Sequence, residues 1–320
     1  MLHVPRLRHE HRLQLSPGLT VDVTEGPGDG ALGLCKASAV LRTLGHLSRT
    51  VRRAGAGPLF GAARNGADRI LVAIGTPPLR ATVDGVELRG FLRHRSFLAE
   101  LGHGGYEPLA REKFRQDLGY TDVVADVGAH IGFYSLLAAR EAPNASVFAF
   151  EPDPYNAAAL RANVRRSGVR NVRVVERAVA DGTGRASFRQ NEATTGSSLI
   201  PRVVGVGPAR DIEVDTTTLD AELGDLSGRR LLLKLDVEGA ERLVLSGAAG
   251  SLRDAAAVTA IVELHPAALR EAGTTPRELV ADLETLGLAP RYLDEASHSV
   301  IPLDGELRKG NLLGQRFTGR

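Results

Sequence analysis

Short apolar runs alternate with longer stretches of helical period through most of the second half of the chain. Apolar runs at 122–127, 145–150, 171–175, 230–236 and 257–263 read as strands. Helical spacing at 131–142, 153–167, 239–248 and 275–287 falls between or after them. Such alternation predicts βαβ units and a twisted, mostly parallel sheet with helices on both faces. Ligands of such sheets bind at the carboxyl ends of the strands. Residues 185–190 and 209–215 read as added short strands around a polar loop, and 289–293 with 299–303 as a terminal antiparallel pair.

The pattern upstream is less regular. Residues 1–30 read as a turn-rich, poorly specified leader. Leu34, Leu41, Leu44, Leu47 and Val51 give 32–53 helical spacing, with basic residues between them. A helix packed on the domain or on a second copy is the preferred reading there, ahead of a basic helix on a membrane surface. Residues 69–74 and 79–88 read as short strands, with a turn at Asp84-Gly85. A short helix at 97–101, a loop at 103–108 and a helix at 107–118 lead into the regular region. The expected division is therefore 1–95, a leader with a helix and a small β-rich element, and 96–320, the main α/β domain.

Composition narrows the function classes. A formal net charge of +2 gives no strong global attraction to nucleic acid. One cysteine, Cys35, excludes an internal disulfide. No apolar run reaches the roughly 18 residues of a membrane span. The polar, His/Arg-rich start has no apolar core behind it, so no signal peptide is expected. The default is a cytoplasmic enzyme acting on a small molecule, with a homodimer as an open possibility.

The first strand ends at Asp126 and breaks at Gly128, with His130 inside the turn and Gly132 where the next helix starts. Glycine permits a tight turn and close approach of a ligand. The helix start favours a carboxylate group. The spacing Gly128-x-x-x-Gly132 is not the dinucleotide fingerprint G-x-G-x-x-G, which counts against NAD. Glu151 ends the second strand, where a carboxylate can accept bonds from two vicinal ribose hydroxyls. It could equally be an acid at a helix start, since Pro152 and Asp153 follow. Ala178 and Asp181, past the third strand, are candidates for the adenine side. Together these residues suit a nucleoside such as S-adenosylmethionine.

The chemistry falls on the fourth and fifth strands. Lys234 and Asp236 lie two apart and share a side, with Glu238 just beyond. Charges on so apolar a strand are costly unless paired or functional. Glu263 and His265 stand at the next strand tip. Histidine is the usual base near neutral pH, so His265 is the expected proton acceptor, with Asp236 and Glu263 orienting it or the nucleophile. Asp236, Glu263 and His265 could alternatively hold a divalent cation, a reading set second. The loop 194–199, with Ser197 and Ser198, is a candidate cover over the substrate.

These segments together resemble the FkbM family of S-adenosylmethionine-dependent methyltransferases. The resemblance is carried by Asp126 to Ser135, by Glu151-Pro152, by Gly196 to Leu199, by Thr218-Leu219-Asp220, by Lys234 to Glu241 and by Glu263 to Pro266. It covers roughly residues 120–270. His130 departs from it, since the family more often carries asparagine there. The resemblance implies a class I, Rossmann-like methyltransferase fold. It also implies methyl transfer, most often to a hydroxyl oxygen, on natural products, sugars or glycolipids. Rival readings are an NAD-dependent oxidoreductase, which the glycine spacing disfavours, and a non-catalytic adenosylmethionine-binding protein.

Overall fold

The computed structural model describes residues 11–16, 19–23, 66–73, 77–191, 196–200, 209–303 and 307–317. The expected helix at 32–53 lies outside them, as do Thr194 and Thr195 of the polar loop. The chain divides into two units, Met1–Gly104 and Gly105–Arg320.

The first unit carries an antiparallel sheet of β1 (His11–Ser16), β2 (Leu19–Val23), β3 (Leu79–Val83) and β4 (Val86–Gly90), in that order. Two expectations are corrected here. The leader contains β1 and β2, because Leu13, Leu15, Leu19, Val21 and Val23 alternate with polar residues around Pro17-Gly18. Residues 66–73 are helical rather than a strand from 69. Ala67 and Leu71 are buried four residues apart, whereas Ile70 between them faces outward. Asp68 secures that helix by accepting bonds from the Leu92 and Arg93 N–H groups at 2.8 and 3.1 Å. The β3–β4 turn uses Asp84 and Gly85, both at positive φ, as two-residue hairpins require. Helix α1 (Arg95–Gly102) buries Phe97, Leu98 and Leu101.

The second unit opens with α2 (Pro108–Leu118), followed by β5 (Val123–Val127), α3 (Phe133–Glu141), β6 (Ser146–Phe150), α4 (Pro154–Ser167) and β7 (Val172–Val175). Next come β8 (Ala178–Val179), β9 (Gly184–Asn191) and β10 (Ala209–Thr217), which form a separate small sheet ordered β8-β10-β9. Then follow α5 (Leu219–Leu223), β11 (Arg230–Leu235), α6 (Glu241–Ser246), α7 (Ala249–Asp254), β12 (Ala257–Leu264), α8 (Pro266–Glu271) and α9 (Pro276–Thr285). The expected helix 239–248 thus starts later, at Glu241, and α8 is an element the periodicity did not show. Strands β13 (Ala289–Asp294), β14 (Ser299–Ile301) and β15 (Gly310–Phe317) complete the main sheet.

That sheet runs β14-β13-β15-β12-β11-β5-β6-β7. Strands β7, β6, β5, β11 and β12 are parallel, and β15 is antiparallel to both of its neighbours. This is the α/β, class I sheet, with β13 and β14 as the expected antiparallel pair. Strand β15 was not anticipated, since two glycines and the absence of β-branched residues blur its pattern. The chain leaves β5 toward β6 on one side and later returns to β11 on the other. A switch point of this kind opens a crevice at the carboxyl ends of β5 and β11.

The core explains how β11 tolerates a lysine. Leu231, Leu232, Leu233 and Leu235 are at most 2% exposed. Each such side chain contributes roughly 1.5–3 kcal/mol on burial. Lys234 sits among them in register with Asp126 of β5. Among the described residues, no helix is long and apolar enough to cross a membrane.

Candidate active site

One wall of the crevice is the turn after β5. Gly128 has φ 85° and Gly132 φ 97°, conformations that L side chains rarely adopt. A Cβ at Gly128 would lie 1.8 Å from the Asp236 carbonyl oxygen, so the turn packs directly on the chain leaving β11. A Cβ at Gly132 would meet Leu160 at 2.5 Å. The Gly128 and Ala129 N–H groups both donate to the Phe150 carbonyl, tying the turn to β6.

Glu151 locks this wall. Its Oε2 accepts the His130 N–H at 2.8 Å, and its Oε1 accepts the Asp153 N–H at 2.8 Å and Asn156 Nδ2 at 3.4 Å. His130 is held at φ 52°, within the left-handed region. Burial, reinforced by the charge of Asp153, pushes the Glu151 carboxyl up to about 8. Asp153 caps α4 in turn, accepting bonds from Tyr155 and Asn156. Asp126 lies beneath the turn, 2% exposed, and accepts a 2.5 Å bond from Ser135 Oγ. Burial raises it to about 6, with the Ser135 bond opposing the rise. Ala178 is buried in β8, and Asp181 is exposed at the rim of a cavity of about 580 Å³ that Ile200, Gly239 and Arg242 also line.

The other wall is a cluster of buried charge. Lys234, 1% exposed, has its Nζ 3.6 Å from Glu107 Oε2, 3.6 Å from Asp236 Oδ2 and 3.3 Å from Asn311 Oδ1. Burial alone would lower its pKa, but Glu107, Asp236, Glu263 and Asp126 outweigh that and raise it. Glu107 also accepts 2.7 Å bonds from Tyr134 Oη and Asn311 Nδ2. Burial works against the Asp236 charge, yet Lys234 and a hydrogen bond from Glu263 hold its pKa below the usual value. Glu263 is pushed well above the usual range by burial and by the charges of Asp236 and Glu238. The two carboxyls are thus pushed in opposite directions, Asp236 down and Glu263 up. Lys309 reaches Glu263 Oε1 at 3.2 Å.

Asp236, Glu238 and Glu263 bring one carboxylate oxygen each within 4.8 Å of one another. His265 is not part of that group. It caps α8, its Nδ1 accepting the Ala268 N–H at 3.2 Å, and its Nε2 lies 4.0 Å from Glu238 Oε2. Burial, then Lys309, lowers its pKa. Ser198 Oγ donates to the Val237 carbonyl at 3.0 Å and accepts the Ile200 N–H, fixing its loop beside Glu238. Ser197 Oγ instead accepts the Asn191 N–H, at 2.9 Å.

Of the residues the sequence singled out, Lys234, Asp236, Glu238, Ser198, Glu263 and His265 thus gather at one wall. Gly128, His130, Gly132 and Glu151 gather at the other. Sequence reasoning missed Glu107, Tyr134, Lys309 and Asn311. Glu107 reaches its partner Asn311 across 204 positions, a pairing that no local pattern encodes.

Comparison with known proteins places much of the second unit in a described family. The family described as Methyltransferase FkbM domain matches residues 126–290, which include both walls of the crevice except Glu107, Lys309 and Asn311. The 31-O-demethyl-FK506 methyltransferase FkbM of Streptomyces tacrolimicus is 37% identical over 155 residues, 39% of this chain and 59% of that protein. Methyltransferase 1 of Beauveria bassiana (strain ARSEF 2860) is 26% identical over 142 residues, covering 57% of its length. The chain thus matches less than two thirds of either relative. Among solved structures, precorrin-6y C5,15-methyltransferase of Geobacter metallireducens GS-15 superposes with a TM-score of 0.37 at 15% identity, over 65% of this chain and 87% of that one. With more than half of its residues matched, across the segments that build the crevice, the chain belongs to the FkbM methyltransferase domain family.

Proposed function

We propose that this chain is an S-adenosylmethionine-dependent methyltransferase that methylates a hydroxyl oxygen of a small molecule or glycan. The observation that carries the reading is the direct packing of Gly128 on the Asp236 carbonyl. It sets a nucleoside-type turn against a cluster of carboxylates, the pairing that joining a methyl donor to a proton-losing acceptor requires. The name of the Streptomyces tacrolimicus relative specifies an O-demethyl compound, which supports oxygen as the acceptor atom.

The residues fit the donor. Glu151 has lone pairs beyond its three hydrogen bonds, enough for a vicinal diol. The start of α3, opened by Gly132, suits the donor's carboxylate. His130 adds an imidazole beside it. Ala178 and Asp181 take the adenine side, following the strand that succeeds Glu151. When bound, S-adenosylmethionine supplies an electrophilic methyl group on a sulfonium. The chain's own part is to hold an acceptor hydroxyl in line, which accounts for much of the acceleration in such transfers. Glu238, Asp236 and Glu263 face that hydroxyl, Lys234 keeps Asp236 ionised, and Ser198 anchors the loop above. We place this chemistry in residues 96–320, with residues 1–95 as a separate element.

The test is incubation with S-adenosylmethionine and a panel of hydroxylated natural products, sugars and glycolipids. S-adenosylhomocysteine release together with a one-methyl mass gain in an acceptor is the expected result. Stabilisation by NAD but not by S-adenosylhomocysteine in a thermal-shift assay would overturn it.

A further inference from the structure

We infer that Glu238 takes the acceptor's proton and that His265 positions Glu238 rather than acting as the base. This rests on the methyl-transfer reading above.

The cap on α8 carries the argument. His265 Nδ1 accepts the Ala268 N–H at 3.2 Å. A ring nitrogen that accepts a hydrogen bond holds no proton, so the neutral ring keeps its proton on Nε2. Nε2 is the atom turned toward Glu238, 4.0 Å away. A further proton would have to enter at Nδ1, against the backbone of α8. His265 is thus built to offer a proton toward Glu238, not to collect one from the crevice.

Glu238 differs from His265 in geometry rather than in access, since His265 is 20% and Glu238 18% exposed. Its backbone sits at φ 53°, a left-handed conformation unusual for glutamate and suited to re-aiming a side chain. The Gly196 N–H donates to its carboxylate, and His265 faces it from β12's end. Its side chain keeps 18% exposure, so an acceptor can reach it. Asp236 is committed to Lys234, and Glu263 to Lys309. The charged groups facing Glu238 are Asp236, Lys309, Lys234, Glu263, Glu241 and His265. Burial, with Asp236 adding to it, sets Glu238 at about 7, where a base works near neutral pH.

In the step itself, the acceptor oxygen bonds to the methyl carbon as the carbon–sulfur bond breaks, and sulfur keeps the electron pair. The hydroxyl proton passes to the Glu238 carboxylate and then to water.

Nitrogen-15 NMR of the full chain labelled at histidine reads the tautomer without any acceptor. A proton on Nε2 of His265 is expected, and a proton on Nδ1 in the neutral ring would overturn the inference. Turnover of the acceptor found above then separates the two residues. Glu238→Gln is expected to lose about 100-fold or more in methyl transfer, with S-adenosylhomocysteine affinity within about twofold. His265→Asn keeps an oxygen for the Ala268 N–H and a donor for Glu238 but cannot titrate. It should recover at least about tenfold over His265→Ala and preserve the pH profile. Equal losses in His265→Asn and His265→Ala, or near-normal transfer by Glu238→Gln, would reinstate His265 as the base. Failure of the wild type to bind S-adenosylhomocysteine would instead remove the methyl-transfer reading, while the tautomer result stands.

Discussion

The glycine turn at 128–132 and the charged tips of β11 and β12 stand side by side, but different forces shape them. The turn is set by contact: Gly128 has no room for a Cβ, and a backbone N–H group holds each Glu151 oxygen in place. The tips are set by charge: buried Lys234 is held among Glu107, Asp236 and Asn311. Under the proposed function, a contact-built wall would give the donor one fixed seat. A charge-built wall can change its proton content as an acceptor reacts.

The contrast can be broken first at Lys234. Lys234→Met leaves Glu107 and Asp236 without their buried counter-ion, and removing one partner of such a group costs about 3–5 kcal/mol. Urea unfolding should show that loss, and a change below about 1 kcal/mol would mean the charges are not coupled. The turn comes next. Gly128→Ala drives a Cβ into a backbone oxygen at positive φ and should cost about 2–3 kcal/mol. Gly132→Ala meets only the tip of Leu160 and should cost less. Equal losses would contradict a turn shaped by its contact with Asp236.

Smaller effects sharpen the same comparison. Ser198→Ala strips the Val237 carbonyl and the Ile200 N–H of their partner, and about 1–2 kcal/mol is expected in the same unfolding assay. The last test uses pH. Glu151 titrates at about 8 when folded, so between its unfolded value near 4.5 and 8 the native state binds more protons than the unfolded one. Its contribution is therefore complete below about pH 4.5 and is lost as pH rises through 8. Melting temperature should fall by a few degrees from pH 6 to pH 9, and Glu151→Gln should flatten that decline. An unchanged slope in the variant would assign the pH response to the charged wall instead.

Parts of this arrangement were legible in the sequence and parts were not, for physical reasons. The runs at Val123–Val127 and Ser146–Phe150 are buried strands flanked by helix signals, so their order could be read directly. Lys234 and Asp236 announced themselves because charge on an apolar strand needs a partner. The partners stayed hidden. Glu107 and Asn311 come from either end of the unit, and only the folded sheet brings them to Lys234. At 69–74 a short apolar run reads as a strand, but burial of Ala67 and Leu71 four residues apart belongs to a helix, a period so short a run does not reveal. For His265, residue type suggested a base, but the bond at Nδ1 that limits this role depends on where α8 begins.

The placement of β15 has a consequence for biosynthesis. It is the last strand of the sheet in chain order, yet it lies between β12 and β13. A nascent chain that has emerged only as far as residue 309 therefore presents β12 and β13 separated by a missing strand, with both inner edges unpaired. Lys234 at that stage has Glu107 but not Asn311. Ribosomes that stall near this point release a product whose open edges invite pairing with other chains. Emergence of β15 closes the edge and finishes the lysine's surroundings in the same event, so a copy truncated before it would expose open strand edges to proteases.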